Sequence, residues 1–134
     1  TFGSDIGIKD GIIVAIGKNI GDSKKIIDAE GQLLLPGGIE AHCHIEQESS
    51  GGIMTSDDYY SGSVSAAFGG NTCIIPFAAQ HRGQKLQDVL DLYHSRAKPK
   101  SVIDYSFHLI ISDPTEEAIK VELPNVIEQG VTSF

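Results

Sequence analysis

The 134 residues, 40% hydrophobic and 21% charged, have the balance of a folded chain with its own core and exclude an intrinsically disordered one. Eighteen Asp and Glu against ten scattered Lys and Arg give a formal charge of −8, which argues against nucleic-acid and anionic-membrane partners, since both need basic patches. No apolar run reaches the roughly 18 residues that a membrane span needs, and Thr1-Phe2-Gly3-Ser4-Asp5 lacks the basic-then-apolar pattern of a signal peptide.

These features set the expectation of a cytoplasmic protein with a small-molecule partner. Cys43 and Cys73 lie far apart in strand-like segments and read as buried thiols rather than a disulfide. The ends read as cut: a strand begins almost at once at Asp5, and Gly130-Val131-Thr132-Ser133-Phe134 reads as a helix stop followed by a strand only begun. The expectation is a piece of a longer protein.

In chain order, two β-branched runs flank Asp10-Gly11, a dipeptide that tolerates the positive φ of a tight turn, and predict a β-hairpin. Ile6 and Ile8 on one arm and Ile12, Val14 and Ile16 on the other alternate with small or polar residues, so one face is apolar. Ile26-Ile27 and Leu33-Leu34-Leu35 predict two further short strands about a turn at Glu30-Gly31. Residues 1–35 are therefore expected to form a small β unit.

Next comes Pro36-Gly37-Gly38-Ile39-Glu40-Ala41-His42-Cys43-His44-Ile45. If this run is extended, alternation puts His42 and His44 on one side and Cys43 on the other, so both imidazoles could hold one metal ion. An isolated His-x-His also occurs as an ordinary pair of half-exposed strand histidines, and context has to decide. The polar loop 46–55, with Gly51-Gly52 at its centre, is placed either to line a pocket or simply to connect.

Ser56 reads as an N-cap, Asp57 and Asp58 suit the positive end of a helix dipole, and a helix over residues 59–68 ends at Gly69-Gly70. The acidic pair reads as serving the helix rather than as a catalytic dyad. Residues 71–78 predict a strand buried on both faces. Residues 84–97 predict an amphipathic helix burying Leu86, Val89, Leu90, Tyr93 and Ala97. Residues 101–111 read as a third strand, and Asp113-Pro114-Thr115-Glu116 as a helix start with Asp113 as N-cap, Pro114 at the first helical position and Glu116 at the capping-box position. Leu123-Pro124 breaks or restarts that helix, Gly130 stops it, and Val131 opens a fourth strand.

Strand and helix thus alternate from residue 36 to residue 134, as in a parallel α/β sheet. A closed eight-fold barrel needs about 250 residues, so the expected architecture is a partial (β/α)8 barrel holding three βα units and the start of a fourth. A doubly wound domain is the alternative, but His-x-His stands where its Gly-rich phosphate loop would begin. In such a barrel, His42 and His44 end the first strand, where active sites lie. His81 in a loop, His94 on a helix and His108 in a strand are weaker ligand candidates.

The motif at 36–44 closely resembles the first barrel strand of the dihydropyrimidinase and hydantoinase branch of the amidohydrolase superfamily. The resemblance continues through Asp57-Asp58-Tyr59-Tyr60-Ser61-Gly62, Ala66-Ala67-Phe68-Gly69-Gly70-Asn71-Thr72, Asp104-Tyr105-Ser106-Phe107-His108 and Gly130-Val131-Thr132-Ser133-Phe134.

The resemblance implies hydrolytic ring opening of dihydropyrimidines or 5-substituted hydantoins to N-carbamoyl amino acids, a step of pyrimidine degradation. It also implies two divalent metals, usually zinc, with His42 and His44 as ligands of the more buried one, and a homotetramer. The bridging carboxylated lysine would follow Phe134, and the remaining ligands and catalytic groups also lie beyond this chain, which leaves no catalytic residue within it. Glu46, Gln47 and Ser49 match the loop that shapes the substrate pocket, although Gln47-Glu48 replaces a more familiar apolar residue and proline.

Dihydroorotases usually carry an arginine where Glu46 stands, which argues against them. The non-catalytic dihydropyrimidinase-like binding proteins, which have lost metal-binding histidines, are the alternative reading.

Overall fold

The computed structural model describes residues 2–49 and 51–134, so Thr1 and Ser50 lie outside the described residues. The chain divides into two compact units, Thr1–Pro36 and Gly37–Phe134. In the first, β1 (Asp5–Lys9) pairs antiparallel with β2 (Ile12–Gly17). Asp10 and Gly11 have φ of 52° and 77°, the left-handed pair that matches a two-residue hairpin turn to the twist of its strands.

A bulge at Gly7/Ile8 sets Ile13 opposite Ile8 and Ala15 opposite Gly7, so Val14 has no partner in the ladder and the strict alternation expected on this arm is broken. The two further strands expected at Ile26-Ile27 and Leu33-Leu34-Leu35 do not form. Glu30 and Gly31 do turn the chain with positive φ, and the Gln32 N–H donates to Ala29 O at 2.8 Å. The flanking aliphatic residues, however, are 66–84% exposed and build no ladder among the described residues. β-branched composition favours a strand only where a neighbouring strand completes it.

The second unit is α/β, with parallel strands and intervening helices. Its sheet runs β3 (Gly38–Cys43), β4 (Asn71–Ala79), β5 (Asp104–Tyr105), and β6 (His108–Ile110) also pairs with β4, every pairing being parallel. The glycines at the start of β3 have a steric reason: a Cβ on Gly37 would overlap the Thr72 side chain, and one on Gly38 would overlap Asn71. Backbone approaches backbone there, and the Gly38 N–H donates to Gly70 O at 2.9 Å.

Helix α1 (Tyr59–Phe68) is capped by Asp58, whose Oδ1 accepts from the Ser61 N–H at 2.9 Å; the cap is not Ser56 as expected. Asp57 Oδ1 accepts from the Ser61 hydroxyl at 2.8 Å, so both acids serve the helix start. Helix α2 (Leu86–Ala97) begins two residues later than expected and buries Leu86, Val89, Leu90, Tyr93 and Ala97, the five residues its spacing singled out.

β4 alternates instead of being equally buried on both faces. Ile74, Pro76, Ala78 and Gln80 are buried, whereas Cys73, Ile75 and Phe77 are half-buried. The long third strand expected at 101–111 is two short pieces, β5 and β6, separated by Ser106 and the buried Phe107, whose ring lies 5.5–6.4 Å from those of Tyr105, Tyr93 and Tyr59.

The last helix starts on Thr115, whose Oγ1 accepts from the Ala118 N–H at 3.0 Å, while Asp113, the expected cap, accepts from the Gly83 N–H at 3.0 Å. A π-helical turn, Ala118–Glu122, precedes α3 (Leu123–Glu128). The Leu123 N–H reaches back to Ala118 O, and Pro124 has no N–H to donate, so the wide turn absorbs the proline without ending the helix. Residues 131–134 form no strand; their ladder reduces to the Leu109 N–H donating to Ser133 O at 3.1 Å.

Within this core the Tyr59 hydroxyl is fully buried with no hydrogen-bond partner among the described residues, and burial pushes its acidity far below that of an ordinary phenol. Tyr59→Phe removes that unpaired group and is expected to stabilise the chain by about 1 kcal/mol, read from the urea midpoint. A loss of stability would show that the hydroxyl has a partner.

Candidate metal centre

β3 ends with His42 exposed, Cys43 half-buried against the core, His44 exposed and Ile45 buried, so the chain alternates as an extended segment must. The two imidazoles stand on one face at the C-terminal end of the parallel sheet. Their ring centroids are 5.6 Å apart at 81°. Phe77 of β4 is their shared floor: its ring is 5.0 Å from His42, edge to face, and 4.9 Å from His44, stacked at 16°. Cys43 faces the other way, and burial, with Glu40 nearby, pushes its thiol up to about 11, which keeps it protonated near neutral pH.

His44 is further held by Gln47, whose Oε1 lies 2.7 Å from His44 Nδ1. A carboxamide oxygen only accepts, so this contact calls for a proton on Nδ1. His108 has the opposite tautomer. Its Nε2 donates at 2.8 Å to the Ala41 carbonyl, which can only accept, and its Nδ1 accepts a hydrogen bond from the Ser133 hydroxyl. Both nitrogens are used, and His108 braces β3 as no ligand could. His81 follows the end of β4, and His94 packs on α2 against Tyr105 and Phe107, where burial lowers its basicity.

Glu46 turns away from the imidazoles. Its carboxylate accepts from Lys100 Nζ at 2.9 and 3.0 Å and from the Tyr59 N–H at 3.3 Å, its carbonyl accepts from Arg96 Nη1 at 2.9 Å, and its N–H donates to Asp57 O at 2.9 Å. These partners hold Glu46 at a φ of 45°, a left-handed conformation that a non-glycine residue adopts only when its surroundings enforce it. The turn sends the chain from the end of β3 directly into the loop that carries Gln47. Gln47, Glu48 and Ser49 then line one side of a cavity of about 360 Å³, with Gln80, His81, Arg82 and Ser112 on the other; Glu46 does not line it.

The Glu46 bracket also binds Asp58, 3.4 Å from Lys100 Nζ. The Ser61 N–H, and secondarily Lys100, hold the Asp58 carboxyl below the ordinary carboxylate range. A depressed folded-state pKa gives stability that is present above the unfolded value and is lost as pH falls through the folded one. Stability is therefore expected to drop below about pH 4, the ordinary range of an aspartate. Asp58→Asn, which keeps the cap, should flatten that acid limb in pH-dependent urea unfolding; an unaltered limb would remove Asp58 from the account.

Two imidazoles on an aromatic floor suit a borderline divalent metal such as zinc. They provide half of a tetrahedral set: among the described residues no three His, Cys, Asp or Glu side chains gather as a metal site. The sequence did not single out Phe77, Arg96, Lys100 or Gln80. Phe77 could have been found by carrying the alternation of β4 to its end, and Gln80 as the lone polar residue closing that apolar run.

Strand-end imidazoles at the C-terminal edge of a parallel sheet stand where α/β barrels place their active sites. No family model matches the sequence. The chain is 44% identical over 135 residues to a D-hydantoinase of Geobacillus stearothermophilus, a match covering 99% of this chain and 28% of that protein. It is 34% identical to a dihydropyrimidinase of Rattus norvegicus, covering 98% of this chain and 26% of the other. The crystal structure of dihydropyrimidinase from Brevibacillus agri superposes with a TM-score of 0.89 at 39% identity, over 96% of this chain and 28% of that one. The chain is thus homologous, along nearly its whole length, to the dihydropyrimidinase and D-hydantoinase family, and it spans a little over a quarter of the length of those relatives.

Proposed function

We propose that this chain belongs to a metal-dependent cyclic amidase that opens dihydropyrimidine or 5-substituted hydantoin rings to N-carbamoyl amino acids. The observation that carries the reading is the face shared by His42 and His44 over Phe77, at the C-terminal end of β3, in a chain homologous to enzymes with those names. The two histidines would hold one of two divalent ions, zinc being the metal that best suits the imidazoles, with a carboxylated lysine and further ligands supplied by other segments of the complete protein. Bound there, the metals would polarise the amide carbonyl and lower the pKa of a water nucleophile.

The chain's own residues bind and orient. Phe77 keeps water from beneath the imidazoles and fixes their planes, and the cavity at Gln47, Glu48 and Ser49 would receive the substituent of the ring. Gln47, Glu48, Gln80 and Arg82 set polar groups around an exposed lining that is mainly apolar.

On this reading residues 36–134 are the first part of a (β/α)8 barrel, as the relatives' greater length and the parallel order of β3 to β6 support, and residues 1–35 are part of a small β-sandwich, as the family resemblance implies. Two free thiols suit a cytoplasmic setting, and no helix among the described residues is long and apolar enough to cross a membrane. A homotetramer rests on the family resemblance and is checked by light scattering. Both imidazoles are present, and no observation favours a non-catalytic binding protein.

The test is made on the complete protein: metal content by elemental analysis, with ring opening of dihydrouracil and 5-substituted hydantoins followed in parallel. Bound metal together with turnover of either ring supports the reading. Absence of metal, or no hydrolysis of either substrate class, overturns it.

A further inference from the structure

We infer that Gln47 is a positioning residue for the metal centre: its carboxamide oxygen fixes His44 as the Nδ1–H tautomer and so makes Nε2 the atom that meets a metal. The 2.7 Å contact from Gln47 Oε1 to His44 Nδ1 is one of three constraints that act together. The second is on Gln47 itself. Its N–H donates to Thr55 Oγ1 at 3.0 Å and its carbonyl accepts from the Thr55 N–H at 3.0 Å, so both sides of its backbone are clipped and the root of the side chain does not wander.

The third is on the ring. Phe77 stacks on His44 at 4.9 Å and 16°, which fixes the plane of the imidazole but not which edge faces which way, because a half-turn about the Cβ–Cγ bond leaves the plane unchanged. That half-turn would put Cδ2, a carbon with no N–H, opposite the carboxamide oxygen. Gln47 therefore selects the edge that Phe77 leaves open. In the selected edge Nδ1 bears the proton, and a neutral imidazole can then coordinate only through Nε2.

Outer partners of this kind orient a ligand and raise its basicity, and their loss typically costs about 10–100-fold in metal affinity. The inference builds on the metal-centre reading above for its zinc half only, since the tautomer can be read with no metal present.

The experiment uses metal-free protein labelled with 15N at histidine. Long-range proton–nitrogen spectra report the tautomer of His44, assigned by comparison with His42→Ala and His108→Asn, and zinc chloride titrated against a competing chelator reports affinity. In the wild type His44 should carry its proton on Nδ1. Gln47→Met, which keeps length and removes the acceptor, should move His44 toward the Nε2–H form and weaken zinc about tenfold. Gln47→Glu, whose carboxylate accepts from Nδ1–H, should restore both.

A wild-type His44 protonated on Nε2 overturns the inference without reference to any variant. So does a Gln47→Met protein whose tautomer or zinc affinity matches the wild type. Should the wild type bind no zinc, or bind it equally well as His42→Ala, the metal-centre reading fails instead, and the wild-type tautomer alone decides whether Gln47 sets the proton on His44.

Discussion

Replacing His42 by alanine in the complete protein is expected to lower ring opening by more than about 100-fold, beyond the range that loss of an outer partner produces. The reason is geometric. His42 is one of two imidazoles that β3 itself places over Phe77, and His44 alone leaves a metal with one ligand from β3. The substitution should leave the folding stability of the chain within about 0.5 kcal/mol of wild type, because the His42 side chain is exposed and no hydrogen bond to its ring nitrogens is formed among the described residues. Turnover, metal content and a urea curve measured on the same preparation check the three parts together. Unchanged turnover would remove His42 from the site, and a large loss of stability would make it a folding residue.

Replacing Gln80 by leucine is expected to cost about 2–3 kcal/mol of stability, with little change in the dependence on denaturant. Gln80 is 3% exposed at the end of β4, and its carboxamide makes three hydrogen bonds. Oε1 accepts from the Ser112 and Asp113 N–H groups at 2.9 and 3.0 Å, and Nε2 donates to Gln84 O at 2.7 Å. One side chain thus ties the β4–α2 loop to the segment that follows β6. Leucine preserves the volume and leaves those three backbone groups unpaired, a larger effect than the loss of the bonds themselves. Hydrogen exchange should accelerate first at residues 81–85 and 111–114, next to the cavity. A cost under about 0.5 kcal/mol would mean that water replaces the carboxamide.

Legibility in the sequence followed the range of the forces involved. The turn at Asp10-Gly11 and the buried stripe of α2 depend on local φ and on a 3.6-residue period, and both stand in the structure as the residues predict, whereas the bulge in the hairpin arm did not show in its pattern. The helix starts were placed within a few residues but assigned to the wrong caps. Ser56 lost to Asp58, and Asp113 to Thr115, because the side chain that wins is decided by which backbone N–H groups end up within reach. The strands expected at Ile26-Ile27 and Leu33-Leu34-Leu35 failed for the complementary reason, since a strand exists only with its partner.

At the site, alternation was enough to put His42 and His44 on one face. The departure of Glu46 from the pocket was not readable, because it depends on Arg96 and Lys100, 50 and 54 residues away, which α2 brings back beside the end of β3. Gln47 and Ser49 do line the cavity, but the contact of Gln47 with His44 depends on a left-handed turn at Glu46 that no residue type announces.

The reach of His108 across β4 to the Ala41 carbonyl bears on how the chain assembles. That contact closes a loop of 67 residues, and the entropy of closing it is spent before any hydrogen bond repays it. The segment that carries His42 and His44 is therefore fastened from two places in the sequence, by its ladder with β4 and by the His108 ring, which the Ser133 hydroxyl meets from its other side. A chain that stops short of residue 108 would keep the ladder of β3 with β4 and lose the brace at Ala41, next to His42. Of the two fastenings, the one through His108 spans the greater length of chain and is the costlier to close.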